Sequence, residues 1–390
     1  LNSVIITYSD EIMTLLFSIF VAIKTMKTRR INKNHALLFS SVIFLIFISL
    51  INKNAPVHKI ILQTFIHLKL FFFYYLFEII FEEKPFLARK TLNIVIFITI
   101  LGLFVSFSLQ KTFTTFFDLN TIYRYGFVRA YGFQLGVNHV AVTLSLYFLY
   151  LIFIINNKPD LKKFFLYSVI FLFLTFFTGS RSVLVVVPIA FLFIFTSKKN
   201  FYIKYFLIIF AVIFIISAYI LLKDSEFYKI TVRNFQDTVD MENSNYIRGI
   251  MIYYGIELAV DNFPIGTGAA SFGTVLSEGS PVYAKLGLDK MDFFIEMAGI
   301  YDSNIASILG EFGFLGLALF IYLFYTIFKN IEKNIIQTEQ YIYYKKYYLS
   351  VIIIVVIYSI SMGIIMNSYN GALFALFLNL LPQNYKQEKL

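Results

Sequence analysis

The chain has 390 residues, of which 59% are hydrophobic and only 14% are charged, and its formal net charge is +10. A soluble domain of this length has too small an interior for so much apolar surface, so the composition excludes an ordinary soluble protein and indicates a helical membrane protein with many spans. The chain has no Cys and four dispersed His, which excludes disulfides, thiolate chemistry and a clustered zinc site.

Apolar runs predict an all-α polytopic fold with about 11 transmembrane helices, and 12 would also fit the pattern. The predicted helices cover residues 4–23, 35–51, 59–81, 91–109, 137–155, 164–178, 182–196, 205–222, 304–328, 347–366 and 371–381. Basic residues rather than a small-residue cleavage site follow the first helix, so we expect it to be an uncleaved anchor.

The distribution of Lys and Arg predicts the orientation of the helices. Alternate loops carry 20 basic residues on one side and 12 on the other. Since cytoplasmic loops carry the excess, we expect 24–34 and 329–346 to be cytoplasmic. The chain then divides into helices one to eight (1–222), a large external loop with short helices (223–303), and helices nine to eleven with a cytoplasmic tail (304–390).

The large loop contains the segment SNYIRGIMIYYGIELAVDNFP, which predicts a helix that begins near Ser244 and ends before Pro264. Its apolar residues recur at helical spacing and form one stripe: Tyr246, Ile247, Ile250, Met251, Tyr254 and Leu258. We expect this helix to lie on the membrane surface.

Four stretches on the expected outer side combine charged or amide side chains with glycines. They are RAYGFQLGVNHVA with Arg129 and Asn138, TGSRS with Arg181, RGIMIYYGIELAVDNFPIGTGAASFG with Arg248, Gly266 and Gly268, and YDSNIASILGEFGFLGLALF with Asp302. Arginine suits phosphate oxygens because its planar guanidinium donates paired hydrogen bonds. These stretches are therefore candidates for binding an anionic ligand.

Each of these residues also has a purely structural interpretation. Arg181 is compatible with a polar corner at the membrane interface, Arg129 with an anchor to lipid head groups, and Arg248 with the solvated face of a surface helix. Asp302 stands at a helix start, where Asp is an ordinary N-cap. The glycines are typical of turns with positive φ.

The third predicted helix carries three ionisable side chains, His67, Lys69 and Glu78. Gln63, His67 and Glu78 fall on one helical face, whereas Lys69 lies about 200° from His67 around the axis. Ionisable residues inside the membrane are functional candidates by default. The two interpretations are that this helix lines a cavity, or that the side chains pair locally and extend towards the interface.

The four stretches, in this order and on one side, resemble the O-antigen polymerases and the related O-antigen ligases. The likeness is most specific for residues 248–273 and 302–320, and elsewhere it depends mainly on hydropathy. In the ligases the position that matches Asp302 is typically His, and this difference favours a polymerase.

The resemblance implies a helical architecture like that of the GT-C glycosyltransferases, in the bacterial inner membrane, with the active site facing the periplasm. The implied reaction is glycosyl transfer without a metal or cofactor. The donor and acceptor are undecaprenyl-diphosphate-linked oligosaccharide repeat units. Besides membrane lipid, a chain-length regulator protein is an implied partner, and nucleic acid is not.

Roles for individual residues follow from the same resemblance. Arg129, Arg181 and Arg248 would bind the diphosphate or neutralise the leaving group. Asp302 would accept the proton of the acceptor hydroxyl. The remaining candidates are Asn138, Gly266 and Gly268 for substrate binding and, as a second line, Glu296, Asp292, His67 and Lys69.

Two rival functions remain open at this point. The nearer one is the O-antigen ligase, which transfers glycan to the lipid A core. The other is a glycolipid flippase or transporter, for which we would expect internal repeats, short external loops and matching broken helices in both halves. The sequence pattern gives no sign of repeats or broken helices, and His67 and Lys69 are the best support for this rival.

Overall fold

The computed structural model describes most of the transmembrane region and part of the large loop. The described residues are 16, 19–20, 23, 33–119, 121, 123–124, 127–134, 136–155, 161–180, 182–195, 247–296, 299–335 and 341–380. The predicted helix 205–222 lies outside these residues, and only four residues of the predicted helix 4–23 fall inside them.

The described helices in the first half of the chain are α1 (Lys33–Asn52), α2 (Val57–Glu83), α3 (Pro85–Ser108), α4 (Gln110–Phe116), α5 (Val137–Tyr150), α6 (Leu161–Phe176) and α7 (Val186–Phe195). Helix α5 continues as a π-helical turn (Leu151–Ile155), and a 3₁₀ turn (Ser182–Val185) leads into α7. Between α4 and α5, β1 (Tyr123–Arg124) pairs antiparallel with β2 (Phe127–Val128). This hairpin of two short strands is a small exception to the predicted all-helical fold.

The described helices in the second half are α8 (Ile247–Asp261), α9 (Pro281–Lys285), α10 (Asp292–Ile295), α11 (Asn304–Ile335), α12 (Tyr341–Ser361) and α13 (Ser368–Leu378). A 3₁₀ turn (Val275–Ser277) precedes α9. Helices α8, α9 and α10 fall within the predicted loop 223–303, whose external location stays a prediction.

Six of the described helices are long and apolar enough to cross a membrane: Lys33–Asn52, Val57–Glu82, Phe86–Ser108, Val137–Ile155, Asn304–Ile335 and Tyr341–Ile360. Two shorter apolar helices cover Val183–Ile194 and Ser368–Leu378. The chain is thus a helical, multi-pass membrane protein, as predicted. The count of 11 or 12 spans and the GT-C-like arrangement stay predictions.

The chain forms two compact units. The first comprises the described residues within Leu1–Pro85, Asp237–Lys333 and Val355–Asn379. The second comprises those within Phe86–Gln236, Asn334–Ile354 and Leu380–Leu390.

Helix α2 is the centre of the first unit and packs against α1 and α13. Of its most apolar 18-residue stretch, 78% is buried inside the protein, whereas 33% of the corresponding stretch of α3 in the second unit is buried. Leu68, Leu70, Phe71 and Phe72 of α2 have no exposed surface. Since α2 is enclosed by protein, its polar side chains can find partners on neighbouring helices rather than facing lipid.

Helix α11 is broken at Gly313, whose φ of 63° and ψ of −162° are far from helical values. This combination of angles is essentially restricted to glycine. In an unbroken helix the N–H of residue 315 would bond to the carbonyl of residue 311. Here the N–H of Leu315 donates to Pro264 O over 3.1 Å, and Glu311 O accepts from the N–H of Gly268 over 2.7 Å. The segment Pro264–Thr274, which we call the glycine loop, therefore supplies the partners that the break requires.

The predicted surface helix is present as α8 and ends at Asp261, before Pro264. Its apolar stripe packs on protein. Ile250, Met251 and Leu258 are buried in a cluster with side chains of the large loop and Ala306 of α11. Aromatic side chains of the loop therefore cover this face, and the location of α8 on the membrane surface stays a prediction.

The charge distribution makes a testable prediction about topology. Lys290 and Lys333 are both exposed, and we expect Lys290 to be outside and Lys333 inside. The chain contains no Cys, so each of the variants Lys290→Cys and Lys333→Cys has a single thiol and no other thiol in the protein can be labelled. An impermeant thiol reagent should label the Lys290→Cys variant in intact spheroplasts and should label the Lys333→Cys variant only after lysis. The reverse pattern would contradict the predicted orientation.

Candidate functional site

The glycine loop enters the first unit against α1, α2 and α11, and its backbone N–H groups have specific partners. Those of Thr267 and Gly268 donate to the carbonyls of Gly310 and Glu311. The N–H of Ala269 donates to Ser49 Oγ of α1 over 2.9 Å. Non-helical backbone at membrane depth is tolerated only where such groups are satisfied by protein or water. These bonds therefore allow the loop to enter a helical bundle.

Two asparagines, Asn52 at the end of α1 and Asn54 just after it, donate hydrogen bonds to backbone carbonyls of the same loop. Asn52 Nδ2 donates to Gly266 O over 3.0 Å, and Asn54 Nδ2 donates to Thr267 O over 2.8 Å. At the far end, Gly273 donates its N–H to the hydroxyl of Tyr283 over 2.9 Å. Burial raises the pKa of Tyr283 to about 12, so its phenol stays protonated across the physiological range.

The carboxylate of Glu311 is the centre of this arrangement and has no exposed surface. Its Oε1 accepts hydrogen bonds from the N–H groups of Ser271 at 3.0 Å and Phe272 at 3.2 Å, and from Thr274 Oγ1 at 2.9 Å. Hydrogen bonds to a charged acceptor are roughly twice as strong as neutral ones. One carboxylate oxygen thus accepts hydrogen bonds from three residues of the glycine loop.

The other carboxylate oxygen of Glu311 contacts α2. Its Oε2 lies 2.7 Å from Nε2 of His67, and both side chains are fully buried. The His67 ring also stacks edge-on against Phe312, with ring centroids 4.9 Å apart. His67 was a second-line candidate from the sequence, and its partner Glu311 was missed. The sequence did contain a signal for Glu311, because a carboxylate inside a long apolar run is a functional candidate by default.

Arg248 of α8 and Asp302, two residues before α11, form an ion pair. Both contacts go to Asp302 Oδ2, from Arg248 Nη2 at 2.9 Å and from Nε at 3.2 Å. The side chains are 30% and 36% exposed, so a ligand could reach them. The structure thus brings together the candidates from the third and fourth sequence stretches. Asp302 is not the cap of α11, since Ser303 Oγ accepts from the N–H of Ala306 over 3.3 Å and the Asp302 carboxylate is bound by a guanidinium.

Gly266 and Gly268 have φ values of 67° and 94°, which fits the structural interpretation of positive-φ turns. At each of these glycines, the position that a Cβ would occupy lies against protein backbone. A Cβ on Gly266 would lie 2.5 Å from Gly313 N, and one on Gly268 would lie 3.1 Å from Ser49 O. A direct role for these glycines in substrate binding therefore stays a prediction, while their packing against α11 and α1 is a feature of the fold.

The second unit holds the first two sequence stretches. Arg129 Nε donates to Thr178 O over 2.8 Å, and Ala130 N donates to Phe177 O over 2.9 Å. Arg129 is therefore tied to the corner that contains Arg181. Arg181 lies outside the described residues, and Asn138 is half-buried in the first turn of α5.

The other candidates are distributed over the first unit. Asp292 and Glu296 are exposed at the two ends of α10. The buried Lys69 donates to Ser368 Oγ of α13 over 2.7 Å. Glu78 accepts from Asn330 Nδ2 of α11. Lys69 and Glu78 therefore pair with different helices. Within the described residues, no group of three or more His, Asp or Glu side chains could hold a metal ion.

A comparison with protein-family models matches residues 166–321 to the family described as O-Antigen ligase (Wzy_C). Through these residues, the chain is similar to the O-antigen ligase and polymerase superfamily. The matched range is less than half of the chain. It includes Arg181, Arg248, Asp302 and Glu311 but excludes His67 and Arg129. A comparison with curated proteins gave no match.

Two glycine variants can separate the stability lost to steric crowding from the stability lost to backbone strain. Gly266 and Gly287 have similar φ values of 67° and 70°, but a Cβ on Gly287 would meet nothing within 4 Å. Replacing either by Ala should cost about 1–2 kcal/mol of stability for the left-handed conformation. Gly266→Ala should lose substantially more, because its Cβ would collide with the break in α11. Thermal unfolding in detergent measures both variants, and equal losses would contradict the tight fit of the loop.

Proposed function

We propose that this protein is a glycosyltransferase that polymerises undecaprenyl-diphosphate-linked oligosaccharide repeat units on the periplasmic face of the inner membrane. The likeness of residues 166–321 to this superfamily supports transfer of glycan from a lipid-linked donor. The observation that carries the proposal is the partly exposed Arg248–Asp302 pair at the start of α11. A carboxylate that can accept a proton lies beside a guanidinium of the kind that binds phosphate.

Each member of the pair has a role in the proposed reaction. An acceptor hydroxyl is a poor nucleophile at neutral pH, and a positioned carboxylate speeds its attack by removing its proton. Asp302 is the candidate for this role, with Glu296 and Asp292 as alternatives. The acceptor oxygen bonds to the anomeric carbon of the donor glycan. The bond from that carbon to the diphosphate oxygen breaks, and undecaprenyl diphosphate leaves.

Negative charge develops on the diphosphate as this bond breaks. Preorganised donors that are partly shielded from water stabilise such charge efficiently. Arg248, Arg129 and Arg181 are assigned to this task, since the guanidinium fork fits phosphate oxygens. Asn138, Gly266 and Gly268 are assigned to the glycan or diphosphate. A chain-length regulator is proposed as a partner protein.

The ligase is the second candidate function. It is favoured by the description of the matching family as O-antigen ligase. The polymerase is favoured by Asp302, since the ligases that this chain resembles typically have His at the matching position.

An assay with purified components distinguishes the two activities. Wild-type protein in detergent or nanodiscs receives undecaprenyl-diphosphate-linked repeat units, with or without lipid A core. A polymerase should extend the lipid-linked repeats into ladders without lipid A core and release undecaprenyl diphosphate. A product that forms only when lipid A core is present would replace the proposal with the ligase. No transfer under either condition would contradict both functions.

Replacing Asp302 tests its role as proton acceptor. Asp302→Asn keeps the shape of the side chain and an oxygen for Arg248, but it removes most of the basicity. We expect the rate of chain extension to fall by ~10²–10⁴-fold, the usual contribution of general base catalysis, with thermal stability close to wild type.

Asp289→Asn provides the matched control, because Asp289 is an exposed carboxylate in the same loop region. This variant should extend chains at the wild-type rate. A near-normal rate for Asp302→Asn would exclude Asp302 as the base and direct attention to Glu296 and Asp292.

A further inference from the structure

We propose that Glu311 is a positioning residue for the transfer reaction. Its carboxylate fixes the glycine loop to α2 and α11, and the loop in turn fixes the relative placement of Arg248 and Asp302. This inference rests on the proposed function for its catalytic consequence. The anchoring step itself depends only on the contacts of Glu311.

The first step is the connection from Glu311 to the loop. Three donors, from Ser271, Phe272 and Thr274, converge on Oε1. A buried carboxylate is stable only where its lone pairs are used, and a buried donor that loses its acceptor is destabilising. Removing the Glu311 side chain would leave three buried donors without this acceptor. The loop would then have to move towards other partners or water.

The second step is the connection from the loop to the ion pair. Phe272 packs in the same buried cluster as Ile250 and Met251 of α8 and Ala306 of α11. Ser307 Oγ donates to Gly273 O, which joins the loop to the first turn of α11. Arg248 precedes Met251 by one helical turn, and Asp302 lies just before α11. A shift of Phe272 and Gly273 would therefore displace the two elements that carry the pair.

The third step is the role of His67. Its ring nitrogen lies 2.7 Å from Glu311 Oε2, on the side of the carboxylate opposite the loop. Because α2 is enclosed by protein, this bond sets the depth and rotation of the Glu311 side chain. His67 therefore supports Glu311, and neither residue needs to contact substrate in this role.

The test uses full-length protein and two variants of different severity. Glu311→Ala removes all the contacts, and Glu311→Gln keeps the shape and loses the charge. We expect kcat for chain extension to fall by about 100-fold in Glu311→Ala, the usual effect of displacing reacting groups by about 1 Å. Glu311→Gln should show a smaller fall. KM should change less than kcat, since Arg248 keeps its charge although its position shifts.

A readout independent of activity reports on the loop. Val282 is 2% exposed and lies in the cluster with Phe272, so Val282→Cys places a protected thiol there. Labelling of this thiol in detergent should be about tenfold or more faster in the Glu311→Ala background, because loss of the anchor promotes local opening. The thiol of Lys290→Cys, at an exposed position, should react at the same rate in both backgrounds.

Asn379→Ala controls for general destabilisation of the first unit. Asn379 is also buried, and its Nδ2 donates to Tyr74 O and Ala375 O, which are not part of the loop. This variant should lower the thermal midpoint with kcat unchanged. In an Asp302→Asn background, Glu311→Gln should lower kcat by a smaller factor than it does in wild type, because the effects of residues that act as a unit are not additive.

The outcomes separate this proposal from the proposed function. Unchanged labelling of the thiol at position 282 in Glu311→Ala would overturn the anchoring. Faster labelling with wild-type kcat would overturn the positioning role. If wild-type protein transfers no glycan, the proposed function fails, while faster labelling in the variant would still support Glu311 as the anchor of the loop.

Discussion

The first unit depends on the pairing of backbone groups at the break in α11. A membrane helix that is interrupted at Gly313 leaves a carbonyl and an N–H without their helical partners, and the hydrocarbon around a bundle offers none. The glycine loop provides both, through Gly268 and Pro264. The carboxylate of Glu311, at the same level of the helix, binds the next part of the loop. The break, the loop and the buried carboxylate therefore form one interdependent arrangement.

This arrangement explains how a chain with a mainly apolar sequence can present polar chemistry near the membrane. Glu311 lies seven residues after Asn304, which corresponds to about 10 Å along the helix. The Arg248–Asp302 pair lies beyond the start of the same helix and is partly exposed. The buried polar side chains thus hold the fold, whereas the partly exposed pair is available for a ligand. The second unit has its own polar corner, where Arg129 is bound to Thr178.

Hydropathy predicted the described spans well, because the bilayer requires long apolar helices regardless of their partners. The break in α11 was not predictable in the same way. Gly310, Gly313 and Gly316 do not single out one position for a break, since glycines are also frequent in unbroken membrane helices that pack closely. The partners of Glu311 were also hidden, since they come from α2 and the large loop. The pairing of Arg248 with Asp302 agrees with the grouping of candidates by resemblance, although no periodicity connects the two residues.

The contact between His67 and Glu311 joins residues that are 244 positions apart, which affects biogenesis. At bacterial rates of synthesis, α2 emerges about 10–50 s before Glu311 is made. During that interval His67 must reside in or near the bilayer without its partner. Assembly of the break must therefore be a late event in maturation, possible only after Glu311 and the rest of the break in α11 have been made, and until then the polar ring of His67 depends on other partners or water.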